Sequence, residues 1–233
     1  MIEQAPKIFY LGVVISLALG FLVSPIASAQ TVGSITQFSG SAEVHRGGAV
    51  QNAAMGTPIS LHDELITKPD SSVTVTLADA STLALSQSTA LTFDENVVSG
   101  GTRQKTLVGL LSGAVSSAIT TAMSGGNPTF QINTPNAQVG VRGTKFVTRY
   151  GEGPVRPGFQ GCQRYTDVLV HEGTVVVSNR ANPGVLVDVK GGYETTVPCL
   201  LPPLTAGPIG IGGIGGAPPA AGVPPPAGRF FKQ

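Results

Sequence analysis

Three histidines, two cysteines and one Arg-Gly-Thr triplet are the residues of this chain whose types could do chemistry. His45, His62 and His171 stand far apart, and no pair has the H-x₃-H spacing of a metal site. His62-Asp63-Glu64 is the one local cluster of potential ligands. On a strand, His62 and Glu64 would share one face and Asp63 the other. A turn in which the Asp63 carboxylate accepts from backbone N–H groups fits the cluster better than a metal or acid–base site. Serines are plentiful, but no G-x-S-x-G elbow occurs, and the Gly-rich stretches lack the Lys-Ser/Thr of a phosphate loop. No cofactor or metal is indicated, and the carboxylates are too scattered to suggest an enzyme. In Arg142-Gly143-Thr144, Gly143 supplies conformational freedom and Arg142 a planar fork for carbonyls or carboxylates. Arg142 either pins one part of the sheet to the next or contacts a partner. A third reading is chemical: the Thr144 hydroxyl attacks the Gly143 carbonyl, and the resulting ester hydrolyses.

Cys162 and Cys199 are an even pair 37 residues apart, without a CxxC partner or a neighbouring histidine. In an oxidising compartment they are expected to form a disulfide, worth roughly 3–4 kcal/mol on the loop-entropy model. A metal pair or a nucleophile is the alternative. The N-terminus supplies the compartment. Lys7 precedes the apolar run Ile8–Val23, and Ala27-Ser28-Ala29 matches a small-x-small cleavage pattern. Residues 1–29 are therefore expected to be a signal peptide, cleaved after Ala29, rather than an uncleaved anchor. The run is about 16 residues, short of the roughly 20 a span needs. No later stretch is long enough to cross a membrane, so no stable span is expected after cleavage.

The elements that must position these residues are short strands. Charged residues make up 12% of the chain and the formal net charge is +1, which argues against a nucleic-acid partner. Val73, Val75 and Leu77 alternate with Thr74 and Thr76, the pattern of a half-buried strand. Similar runs occur at 32–38, 42–46, 59–67, 130–132, 145–150, 165–170, 174–177, 185–189 and 193–197. Arg103–Ile119 reads as strand, turn, strand, because Gly109 and Gly113 oppose a helix. Ser39-Gly40-Ser41-Ala42, Ser112-Gly113-Ala114-Val115 and Glu172-Gly173-Thr174-Val175 each place a glycine ahead of a strand start, as if the chain wound repeatedly through similar turns. Gly151–Gly161 reads as an exposed loop carrying Arg156 and Phe159. From Leu200 the composition becomes almost wholly Pro, Gly and aliphatic, which gives a domain over 31–199 and a disordered tail over 200–233.

Asp70–Leu85 and Thr134–Phe146, with the opening Gly33-Ser34-Ile35 and the closing Glu172–Val177, resemble the FecR domain of periplasmic regulators and envelope proteins. The resemblance implies an all-β, β-solenoid-like module that does no catalysis and interacts with an envelope protein or a glycan, in sensing or assembly. On that reading Arg142, Gly143, Thr144, Arg156 and Phe159 are the candidate binding residues. A structural envelope protein tethered by its Pro/Gly tail is the alternative. The chain departs from the family where glycine is usual: His62 precedes Asp63, and Ala80 follows Asp79. Both turns are therefore expected to be less left-handed here.

Overall fold

The computed structural model describes residues 30–99, 102–120, 123–124, 127–128, 130–141 and 144–210. Among them there is no helix. The strands are β1 (Thr31–Ser39), β2 (Ala42–Arg46), β3 (Ala49–Asn52), β4 (Pro58–Ser60), β5 (Glu64–Thr67), β6 (Ser72–Leu77), β7 (Thr82–Leu85), β8 (Ala90–Ser99), β9 (Thr102–Ala118), β10 (Met123–Ser124), β11 (Asn127–Pro128), β12 (Phe130–Asn133), β13 (Ala137–Val141), β14 (Lys145–Glu152), β15 (Arg164–Glu172), β16 (Thr174–Asn179), β17 (Asn182–Lys190), β18 (Tyr193–Pro198) and β19 (Gly207–Pro208).

Pairing sorts them into two sheets. The first runs β4-β1-β6-β7-β9-β14-β15-β18-β19. The second runs β3-β2-β5-β8-β9-β12-β13-β16-β17. β10 and β11 form a separate hairpin. The chain passes back and forth between the sheets, and every ladder is antiparallel except β9–β12. Period-two alternation turns Val73, Val75, Leu83, Leu85, Val108, Phe130, Phe146, Val168 and Val175 inward, into one cluster shared by both sheets. Apolar side chains on facing layers leave water together, which is the main drive for the stack.

β9 belongs to both sheets. Up to Ser112 it pairs with β8, and from Gly113 it pairs with β14 and, from Val115, with β7. The 103–119 stretch is thus one bent strand rather than two strands around a turn. The bend sits at Gly113, at φ +87°, where an added Cβ would lie 2.6 Å from Thr89 Cα and 2.8 Å from Ser88 O. No other residue fits that backbone and that space. The two glycines that echo it, Gly40 at φ 82° and Gly173 at φ 82°, also stand where the chain leaves one sheet for the other. The expected similar turns are therefore these crossings.

The two turns that lack glycine are left-handed after all. His62 has φ 66° and Ala80 has φ 64°. Neighbouring hydrogen bonds impose the conformation. His62 N–H donates to Phe93 O at 2.8 Å, and Ser60 N–H donates to the Asp63 carboxylate at 2.7 Å. Ala80 N–H donates to Leu77 O at 3.0 Å, while Leu77 N–H donates to Ser81 O at 2.8 Å. The expected single extended piece 59–67 is accordingly split by the His62 turn into β4 and β5.

Past Cys199 the chain stays on the first sheet. Leu204 N–H donates to Thr196 O at 3.0 Å, Thr195 Oγ1 donates to Leu204 O at 2.7 Å, and β19 pairs with Tyr193–Glu194. The folded part thus extends to Gly210, beyond the expected limit at residue 199. The signal peptide and the stretch 211–233 lie outside the described residues.

Candidate interaction surface

Thr134-Pro135-Asn136 forms the turn between β12 and β13, and its polar side chains point inward. Asn136 Nδ2 donates to Val197 O at 2.8 Å, and Thr166 Oγ1 donates to Asn136 Oδ1 at 2.6 Å. The Thr134 and Thr166 hydroxyls lie 2.7 Å apart, and Ala137 N–H donates to Thr134 Oγ1 at 2.9 Å. Thr166 and Val197 belong to the first sheet and the turn to the second, so this stretch fastens one sheet to the other. The buried Thr134 and Asn136 side chains both have hydrogen-bond partners, the condition for burying them at all.

Arg142 and Gly143 lie outside the described residues. Thr144, next to them, is buried, and its carbonyl accepts from Ile119 N–H at 3.0 Å. Its hydroxyl has no hydrogen-bond partner among the described residues.

Arg156 and Phe159 are brought together, on the loop between β14 and β15. Arg156 Nη1 and Nη2 donate to Asp167 Oδ1 and Oδ2 at 2.7 and 2.8 Å, a fork-to-fork pair. Its guanidinium carbon sits 4.1 Å above the centre of the Tyr165 ring, and the Phe159 ring meets that ring edge-on at 6.1 Å. The hydrogen bond to Asp167 holds the Arg156 pKa above its ordinary value. Backbone bonds Phe159 N–H to Arg156 O and Cys162 N–H to Phe159 O, both 3.0 Å, fold the loop on itself. Cys162 is disulfide-bonded to Cys199, with Cα atoms 5.7 Å apart, which ties the loop to the end of β18. Arg156 therefore spends its fork inside the domain. Sequence reading found this residue but not Asp167, because their pairing is set by the β14–β15 hairpin.

Asp63 is fully buried and accepts from Ser60 N–H, as the sequence suggested for a turn. It also accepts from Arg46 Nε at 2.7 Å and Nη2 at 2.6 Å, a pair not foreseen. This contact holds the Arg46 pKa above its ordinary value. His62 lies in the turn and not on a strand, so it does not share a strand face with Glu64. Among the described residues no group of three His, Cys, Asp or Glu side chains could hold a metal ion.

Both ends of the second sheet carry exposed strands. β3 is exposed at all four positions and pairs only with β2 among the described residues. Val50 on it is 59% exposed, and Met55 just beyond it 71%. At the other end β17 pairs only with β16. Unpaired N–H and C=O groups beside exposed apolar side chains are the features by which an edge accepts another strand.

The fold and these edges define an all-β, two-sheet domain with open ends. Residues 63–176 match the model of the FecR protein family, so the chain carries a FecR domain. Two crystal structures of a proposed anti-sigma factor from Parabacteroides distasonis, at 1.65 and 2.50 Å resolution, are similar to it at 19% identity and a TM-score of 0.46. The alignment covers 62% of this chain and 59% of that one, so this chain spans under two thirds of its neighbour's length. No curated protein matches the chain. No helix among the described residues is long and apolar enough to cross a membrane.

Proposed function

We propose that this chain is an exported, non-catalytic FecR-domain module that recognises an envelope protein in sensing or assembly. The observation that carries the reading is the β3 edge, four exposed residues with one side unpaired and Val50 and Met55 beside it. An extended segment of a partner adds to such an edge by backbone hydrogen bonds, and its apolar side chains cover Val50 and Met55. The Arg156 fork and the Thr134 and Asn136 side chains already have partners inside the domain, whereas the outer side of β3 has none among the described residues. Export follows from the Lys7, Ile8–Val23 and Ala27-Ser28-Ala29 pattern. The test is a crosslinked pull-down from intact envelopes with the full chain and with Val50→Lys plus Met55→Lys. One defined partner lost on the double substitution supports the reading. Equal capture by both proteins sinks it.

A second reading is self-processing at Gly143–Thr144, favoured by the buried Thr144 hydroxyl that no neighbour among the described residues engages. The oxygen would attack the Gly143 carbonyl, the amide nitrogen would leave as an amine, and water would hydrolyse the ester. Two fragments meeting between residues 143 and 144, absent in Thr144→Val, support it. A single intact mass refutes it.

A further inference from the structure

Gln30 stands just before β1 and is exposed, with exposed Thr31 next and buried Val32 after it. Its backbone is already part of the fold. Leu61 N–H donates to Gln30 O at 2.8 Å, and Thr31 pairs with Ser60 of β4. Its side chain has one hydrogen bond among the described residues, Nε2 donating to Asn96 O at 3.1 Å at an exposed site. Cleavage after Ala29, the export step proposed above, turns the Gln30 nitrogen from an amide into a primary amine. That amine then shares a residue with a side-chain carboxamide. An α-amine ionises at about 7.7–8, so at neutral pH a usable fraction is uncharged and nucleophilic. Nα and Cδ close a five-membered ring, and groups tethered that closely react far faster than free ones.

We propose that Gln30 is a modification site, which cyclises to pyroglutamate once residues 1–29 are removed; the inference rests on the proposed export and not on the β3 edge. Nα attacks Cδ, the Nα–Cδ bond forms and the Cδ–Nε2 bond breaks. Nε2 leaves as ammonia with one proton from the amine, and the lactam keeps a single N–H. The step balances without an oxidant or any other co-reactant. The fold permits it. Only Nα, Cδ and Nε2 change their bonding, so the Gln30 carbonyl keeps its bond from Leu61 and the Thr31–Ser60 pair stays in place. The contact given up is the bond from Nε2 to Asn96, at the surface. The product carries no α-ammonium and offers an aminopeptidase no free amine. That protection matters at this end of the chain. Removal of Gln30 and Thr31 would leave Val32, a core residue 2% exposed, as the terminus.

The test is mass spectrometry of the full chain, residues 1–29 included, exported from a bacterial host, alongside Gln30→Ser. Intact mass is taken before digestion, both at once and after prolonged incubation at neutral pH. The tryptic peptide ending at Arg46 is then sequenced by fragmentation, which places any loss at its residue. Wild type is expected to begin at Gln30, lighter by one ammonia at that residue, and to resist Edman degradation. Gln30→Ser is expected to begin with a free serine amine and to be sequenced normally. A wild type that begins with a free Gln30 amine at both times overturns the proposal and leaves export standing. Cleavage at any other bond does the same. A wild type that keeps residues 1–29 overturns the proposal and the export reading together. None of these outcomes bears on capture at Val50 and Met55, which the pull-down measures by itself.

Discussion

Asn136, in the turn between β12 and β13, donates its side-chain amide to the carbonyl of Val197 at 2.8 Å across 61 positions of sequence. The same side chain accepts from Thr166 at 2.6 Å. One residue of the second sheet thus satisfies two groups of the first, in a place water does not reach. Asn136→Ala strands both. We expect it to lower the unfolding free energy by about 2–4 kcal/mol, read from the denaturant midpoint. Thr166→Val should cost less, since Asn136 keeps its bond to Val197. An alanine variant as stable as wild type would mean the turn does not fasten the sheets.

Gly113 and Gly56 separate two costs. Both have positive φ, +87° and +84°, but an added Cβ meets Thr89 and Ser88 at Gly113 and nothing within 4 Å at Gly56. Gly56→Ala should cost only the left-handed penalty, about 1–2 kcal/mol. Gly113→Ala adds overlap with backbone and should cost about 3 kcal/mol or more. Equal losses would show that the Gly113 site relaxes freely and is not where β9 is forced from one sheet to the other.

His62 and Ala80 invite the opposite experiment. Both are exposed and left-handed, so replacing them with glycine removes strain without removing core contacts. The gain is partly offset by the greater freedom of glycine in the unfolded chain. We expect His62→Gly and Ala80→Gly each to raise stability by about 0.5–1 kcal/mol. A loss in either would mean that its side chain contributes more than its backbone costs.

The Arg156 loop should behave as part of the fold. Opening the Cys162–Cys199 bond by Cys162→Ser with Cys199→Ser is expected to cost about 3–4 kcal/mol on the loop-entropy account. Arg156→Lys keeps the charge and loses the planar fork and much of the stacking on Tyr165. It should speed proteolysis within 151–161 while leaving the strands intact. Unchanged cleavage would mean that the loop's own backbone bonds hold it.

The strands were readable because alternation at Val73-Thr74-Val75-Thr76-Leu77 records which face of one strand is buried. It does not record which strand lies alongside. The side-chain contacts that fasten strand to strand are of that second kind: Arg156 with Asp167, Arg46 with Asp63, Asn136 with Val197. Each depends on a pairing that local pattern does not carry. The repeated glycines were legible as turns, but their role as crossings needed the identity of the sheets. Composition also misplaced the end of the domain. Residues 200–210 are bound largely through backbone groups, as in Leu204 N–H to Thr196 O, and side-chain type says little about such bonds. The left-handed His62 and Ala80 show the same limit: the surrounding hydrogen bonds outweigh local preference.

Tyr150 offers a pH test of the packed interior. Burial, with the Glu152 carboxylate second, raises its pKa above the ordinary tyrosine value. The unfolded chain therefore ionises first as pH climbs past about 10. Its contribution to stability is full below that point and is lost as pH rises through the native value. Tyr150→Phe removes the group that drives this loss, so its denaturant midpoint should fall less steeply than wild type between about pH 9 and about pH 11. Phenolate absorbance, taken as the difference between wild type and Tyr150→Phe, should show the native residue ionising above the ordinary tyrosine value. A native Tyr150 that ionises at or below the ordinary value, with parallel alkaline limbs in the two proteins, would mean that the phenol reaches water and that this end of β14 is open.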